Sequence, residues 1–418
     1  MNLLKLSWSY IRNRRLNTFL NTLLLALGVG TIIYLLLILN QLQHKMEANA
    51  KGINLVVGAK GSPLQLVLCG IFHLDNPTGN IKLSDAEKIT GNRRLVKKAI
   101  PLALGDSYRA FRIVGTTKAY PDHYGCQLAA GQWWQREFEA TIGSEVAGQG
   151  GLKIGDTFFG AHGLDGNEDN AHGEKSYRVA GIMQPSGTVL DRLVLTDIES
   201  VWAIHAHEEE SPSGLPPTPS EGGGFMAPPS GAGGASADRE ITSLLITYRN
   251  PMAALLLPRL VNSQSNLQAA SPAMEILRLF DLFGVGAEVV QYFAYVIILI
   301  AGLSIFIALY NALKERRYDL AIMRTLGASP GKLFAHIVLE GLLLAVFGGV
   351  CGFLLGHAAV ELTGRLLSGT SQASLTGWQY LHEETYIFLG VLGVGLAASL
   401  LPALQTYRMD ISETLAGQ

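Results

Sequence analysis

Charge is scarce in this sequence: Lys, Arg, Asp and Glu make up only 16% of 418 residues, and the formal net charge is −2. A nucleic-acid footprint needs Lys and Arg clustered well beyond the acidic count, so that class is excluded. Cysteine is scarcer still. Cys69, Cys126 and Cys351 show no CxxC spacing, and Cys351 sits in an apolar run. At most one disulfide, Cys69 to Cys126, is therefore available outside a membrane, and the sequence leaves its formation open. The phosphate-cradling pattern GxxxxGK[ST] is also missing, because GASPGKLF at 327–334 has neither its spacing nor its final hydroxyl. No nucleophile, base and orienting group stand at motif spacing, which argues against an enzyme and against a cofactor bound by this chain.

Apolar residues are what the sequence has in abundance. At 48% hydrophobic, the chain is too apolar for an ordinary soluble protein and not apolar enough to be all membrane, so its apolar residues are segregated. Four runs, 18–40, 287–313, 333–362 and 386–404, reach the roughly 20 residues that cross about 30 Å of hydrocarbon. In lipid such runs must be helices, since each backbone donor has to find its acceptor within the segment. The first is expected to stay as an uncleaved anchor, since no small-residue cleavage site follows it. Lys5, Arg12, Arg14 and Arg15 precede it in an amphipathic segment 1–17, and a second basic stretch fills 314–332. The positive-inside rule then places both termini, with the tail 405–418, in the cytoplasm.

The expected fold class is thus four transmembrane helices plus a large α+β extracytoplasmic domain, residues 41–286, inserted between helices 1 and 2, with a short outer loop at 363–385. Segments 108–115, 140–142, 177–182, 192–195 and 241–248 are short, β-branched or aromatic and bounded by turn residues, which predicts strands. Segments 253–266 and 272–283 have helical apolar spacing. The Ser-, Pro- and Gly-dominated tract 208–238 predicts a disordered loop. The apolar stretch 53–74 reads equally as core or as the lining of a route to the bilayer.

Several residues carry candidate roles. The loop 314–332 holds Glu315, Arg316, Arg317, Asp319 and Arg324 among Leu320, Ile322, Met323 and Leu326, breaks at Gly327, and restarts at Ser329-Pro330. A short apolar-faced helix of this kind suits a groove on a partner protein, although a basic loop also satisfies the topology rule alone. Gly348, Gly352 and Gly356 repeat every four residues, a smooth face for close helix contact. Glu340, His357 and Glu361 are costly in lipid and are expected to be paired or to mark an ion path. His162 and His172 in one acidic loop, and His205 and His207 in a second, are candidate zinc ligands, the latter pair on one face if the stretch is extended. Two solvated His-containing loops are the plainer alternative.

The loop ERRYDLAIMRTLGAS, the third span VLEGLLLAVFGGVCGFLLG and the tail LPALQTYRMDISETLAG resemble the FtsX-like or MacB-like ABC transporter permeases. The stretch 140–191, with ATIGSEVAG, GLKIGDTF and YRVAGIMQPSGTVLD, is similar to the outer domain of that family. The resemblance implies a bacterial inner-membrane protein, pairing as two permease copies, with a separate ATPase that binds ATP and Mg and docks on 314–332. It also implies mechanotransmission: closure of the ATPase moves the outer domain, which moves a substrate or a periplasmic partner protein. Two alternatives stand beside transport: an FtsX-type scaffold that switches an outer hydrolase, and a zinc-handling accessory working through the His loops.

Overall fold

The computed structural model describes residues 7–9, 12, 15–161, 175–208, 239–367 and 375–408. Contacts divide the chain into two units, Met1–His44 with Asp281–Gln418, and Lys45–Phe280.

The first unit is a helical bundle. Among the described residues its helices include α1 (Arg15–Ala50), α8 (Pro272–Glu315), α10 (Pro330–Leu367) and α11 (His382–Tyr407), with the short α9 (Arg317–Thr325) between the second and third. Each of the four long helices is long and apolar enough to cross a membrane. Leu25, Val29, Ile33 and Leu37 on α1, at a spacing of four, meet Ala301, Ile305 and Leu309 of α8, Leu344, Ala345 and Val360 of α10, and Val391 of α11 in one buried cluster. Polar side chains tie the helices at intervals. The Ser304 hydroxyl donates to Asn21 Oδ1 at 2.6 Å, and the Tyr34 and Thr363 hydroxyls lie 3.2 Å apart. The Gln41 amide clasps Thr376 in both directions, Nε2 donating to its carbonyl at 2.8 Å and Oε1 accepting from its N–H at 2.9 Å. In an apolar surround such bonds each add modestly, on the order of 0.6 kcal/mol, but they fix register.

The second unit is α+β, as the alternating strand and helix signals predict. Its strands are β1 (Leu55–Ala59), β2 (Ile81–Lys82), β3 (Val96–Tyr108), β4 (Phe111–Thr116), β5 (Leu128–Gly131), β6 (Glu139–Ile142), β7 (Thr157–Phe158), β8 (Tyr177–Met183), β9 (Leu193–Asp197), β10 (Glu240–Ile241), β11 (Ser243–Tyr248) and β12 (Leu267–Ala270). The main sheet runs β12-β1-β11-β3-β4-β9-β6-β8-β5, with β7 joined to β8, while β10 and β2 form a separate pair. Among the described residues, only β4 with β9 and β6 with β8 are parallel. Helices α2 (Pro63–Gly70), α3 (Leu83–Thr90), α4 (Ala119–His123), α5 (Ser144–Gly150), α6 (Ile198–Glu208) and α7 (Met252–Gln264) complete the unit. Two cores lie along the sheet. One gathers Leu55, Val57, Leu244, Ile246, Leu257 and Val261, and the other Ile113, Ile142, Val146, Val179 and Val194.

Three expectations change on contact with the fold. Residues 108–115 are not one strand: Arg109 at φ 53° begins the turn that joins β3 to β4. Segment 241–248 is split, Ile241 pairing with Ile81 in the small sheet while 243–248 crosses the large one. Segment 272–283 is not a separate helix but the first turns of the 44-residue α8. Gly284 and Gly286 lower helix propensity by about 1 kcal/mol each, yet no proline stops the chain there. The apolar stretch 53–74 is core, with Leu55, Val56 and Val57 at 0% exposure and Ile71 equally buried. Cys69 is buried and Cys126 half-buried, and both are free thiols.

Candidate functional site

The loop singled out by its charge pattern forms a compact device. Helix α8 ends at Glu315, Arg316 turns the corner, and α9 follows over Arg317–Thr325. Gly327, at φ +98°, takes a left-handed turn that an L side chain adopts only with strain. Pro330 then opens α10 at a position where a missing N–H costs nothing. Leu320 and Ala321 are buried, and Leu320 joins Leu313, Leu333, Ile337 and Ala403 in a small cluster under the loop. Burying a leucine of this kind contributes about 2 kcal/mol, which holds α9 against the ends of α8, α10 and α11.

Packing one side of α9 leaves the other exposed. Tyr318, Ile322 and Leu326 recur every four residues on that side and are 50%, 37% and 82% exposed. Glu315, Arg317 and Asp319 are exposed around them. The result is an apolar stripe with a charged rim, the arrangement of an interface core. The charge pattern did not separate this stripe from the buried residues beside it, although the helical spacing 318, 322, 326 was there to be read.

The polar candidates do not share one role. Glu315, Arg317 and Asp319 face outward, whereas Arg316 and Arg324 are half-buried. Arg316 turns into the bundle, with Nη1 3.9 Å from Oε2 of Glu340 on α10. Glu340 is only 7% exposed, and a carboxylate so placed needs a cation at hand.

The glycines Gly348, Gly352 and Gly356 pack on α1 of the same chain. A methyl group added at each would lie 2.6 Å from Leu25, 2.6 Å from Val29 and 2.8 Å from Ile33 respectively. Each glycine thus receives one residue of the α1 stripe. On the far side of α10, His357 Nδ1 lies 2.7 Å from the Gly377 carbonyl and Nε2 3.0 Å from Glu384. Glu361 accepts from Arg365 at 3.0 Å and from the Gly377 N–H at 3.1 Å. These groups bind the short loop before α11 to the end of α10.

Of the zinc candidates, His162 and His172 lie outside the described residues, as do residues 209–238. The condition attached to His205 and His207, an extended stretch, is not met, because the backbone is helical over Ile198–Glu208. Among the described residues no cluster of three or more His, Cys, Asp or Glu is set to hold a metal.

Among the described residues of the second unit, an ionisable cluster surrounds His73. His73, at φ 53° and 4% exposure, is held by Tyr120, with Nε2 2.7 Å from its hydroxyl. Burial first, and the Arg112 charge second, push His73 down to about 3, so the ring is neutral. Arg112 reaches the Asp75 carbonyl at 2.9 Å and lies 3.9 Å from Cys69 Sγ. Burial pushes the Cys69 thiol up to about 11. With both groups held neutral and enclosed, the cluster is structural.

Comparison with known proteins agrees with this architecture. Residues 18–243 match the family model of the MacB-like periplasmic core domain, and residues 292–411 that of the FtsX-like permease C-terminal region. An uncharacterized ABC transporter permease, MJ1507, of Methanocaldococcus jannaschii is 25% identical over 151 residues, covering 36% of each chain. The uncharacterized ABC transporter permease YknZ of Bacillus subtilis is 24% identical over 121 residues, 28% of each chain. The chain therefore aligns with about a third of the length of these relatives. The extracellular domain of the noncanonic ABC-type transporter YknZ from Gram-positive bacteria aligns over 52% of this chain and all of its own, at 12% identity and a TM-score of 0.30.

Proposed function

The chain belongs to the family of FtsX-like ABC transporter permeases that carry a MacB-like periplasmic core domain, and on that premise we propose that it couples a separate ATPase to movement of its extracytoplasmic unit. Helix α9 docks on the ATPase through Tyr318, Ile322 and Leu326, with Glu315, Arg317 and Asp319 at the rim. Closure of two ATPases across two permease copies drives the bundle, and α1 and α8, each supplying residues to both units, pass the movement outward. ATP and Mg belong to the partner. The protein sits in a bacterial inner membrane with both termini cytoplasmic, and the second unit works in the periplasm on a substrate or a partner protein.

The observation that carries this reading is the exposed apolar stripe on a helix whose opposite face is anchored in the bundle. A loop present only to satisfy charge topology has no reason to order three large apolar side chains toward water. Purification of the tagged chain from its native membranes in mild detergent tests it. A co-purifying protein with a phosphate-binding GxxxxGK[ST] loop is expected, and its absence even after crosslinking would overturn the proposal.

A further inference from the structure

A groove of about 680 Å³ opens along the bundle between α1, α8 and α11, within the size range of small-ligand sites. Its lining is sorted along its length. Ile32, Ile298, Val391 and Val394 line one end, while Asn40, Gln291, Tyr295 and Glu383 gather at the other. From Ile32 to Gln43 the lining follows α1 for about 16 Å at 1.5 Å per residue, roughly half of a 30 Å hydrocarbon layer. The groove is thus as deep as one leaflet, apolar at mid-membrane depth and polar at the surface.

Two features at the polar end select the head of its occupant. Asn40 Oδ1 is a buried acceptor without a hydrogen-bond partner among the described residues, an arrangement that is unfavourable until a donor arrives. Among the described residues, Glu383 is the one charged residue in the lining, and neither Lys nor Arg contributes to it. An anionic head meets no cation here, whereas an ammonium supplies N–H donors to Asn40 and a charge opposite to Glu383.

We propose that the groove is a binding site for one amine-headed phospholipid of the adjoining leaflet, its acyl chain along Ile32, Ile298 and Val394 and its ammonium at Asn40 and Glu383. A lipid so held fills the space between three helices that move in any transmission through the bundle, and its presence is independent of ATPase docking.

Native mass spectrometry of the full chain, released from vesicles of equal phosphatidylethanolamine and phosphatidylglycerol, tests this. One phosphatidylethanolamine per chain is expected, retained about tenfold over phosphatidylglycerol, the ratio that one 1.4 kcal/mol interaction gives. Gly390→Trp should abolish retention, because a side chain added at Gly390 meets open space within the groove. Asn40→Leu, of nearly the same size, should remove the head-group preference while a chain is still held, and it decides the matter if Gly390→Trp fails to fold. Equal retention of the two lipids by the unaltered chain, or retention untouched by Gly390→Trp, would overturn the proposal. So would a lipid-free chain whose dimer is broken by Gly390→Trp, which would assign the groove to a second copy.

Discussion

Arg316 Nη1 and Glu340 Oε2 lie 3.9 Å apart, with side chains 14% and 9% exposed. The pair joins the start of α9 to the interior of α10, so one of the basic residues that the charge pattern nominates for docking has a partner inside the bundle. Glu340→Gln should leave Arg316 in a poorly hydrated site with a weaker partner and lower stability by about 2 kcal/mol. The thermal midpoint of the purified chain measures this. Charge reversal at the exposed Arg317 should leave the midpoint unchanged, so the two arginines separate structure from docking.

The glycine stripe on α10 gives a contrast of sign. At Gly352 an added Cβ would lie 2.6 Å from Val29 Cβ and 2.9 Å from the Ala26 carbonyl, and the latter is backbone that has no room to turn away. Gly352→Ala should therefore destabilise the bundle by about 1–3 kcal/mol. At Gly390, where nothing lies within 4 Å, the same substitution should stabilise slightly through helix propensity. Opposite shifts of the thermal midpoint would confirm that close approach to α1 is the reason for the stripe.

Acid should loosen the second unit through His73. The folded ring titrates at about 3, the unfolded ring near 6.5. Between these values the unfolded chain binds the extra proton, so stability falls as pH drops from about 6.5 towards 3, by up to about 1.4 kcal/mol per unit, and is unaffected above. Hydrogen exchange of peptides from 45–280 in the full chain should show this slope, and His73→Gln should flatten it.

The three thiols should react in a fixed order. Cys69 is buried, and burial pushes it up to about 11. It should resist maleimide until the unit unfolds, and forming a disulfide with Cys126 should require unfolding. Cys126 is half-buried and should react slowly in water, while Cys351 is exposed on α10 within a membrane-crossing helix and should react with apolar, membrane-permeant reagents. Mass spectrometry of labelled peptides reads all three.

Much of this fold was legible because bilayer length and apolar periodicity are strong constraints. The four long helices, the order of soluble and membrane segments and the glycine face on α10 follow from composition and spacing alone. Strand β3 was not legible, because Lys97, Lys98 and Pro101 break its apolar pattern and pairing with β11 and β4 overrides the local signal. The half-buried members of the candidate site were not legible for a related reason. Charge density alone does not tell an arginine that faces outward from one that faces a glutamate twenty-four positions later, and only the three-dimensional path of α9 separates Arg316 from Arg317. The groove beside Asn40 was invisible, since its walls come from three helices far apart in sequence.

The most direct measurement is the amount of ATPase recovered per tagged chain when Ile322 and Leu326 are both changed to glutamate. Docking through the outward stripe predicts at least a tenfold loss of ATPase, a coupling of about 1.4 kcal/mol or more, with the thermal midpoint of the chain unchanged because neither side chain is buried. Full recovery of the ATPase on this variant would contradict docking through α9 and remove the basis for reading this loop as the link between ATP hydrolysis and the membrane.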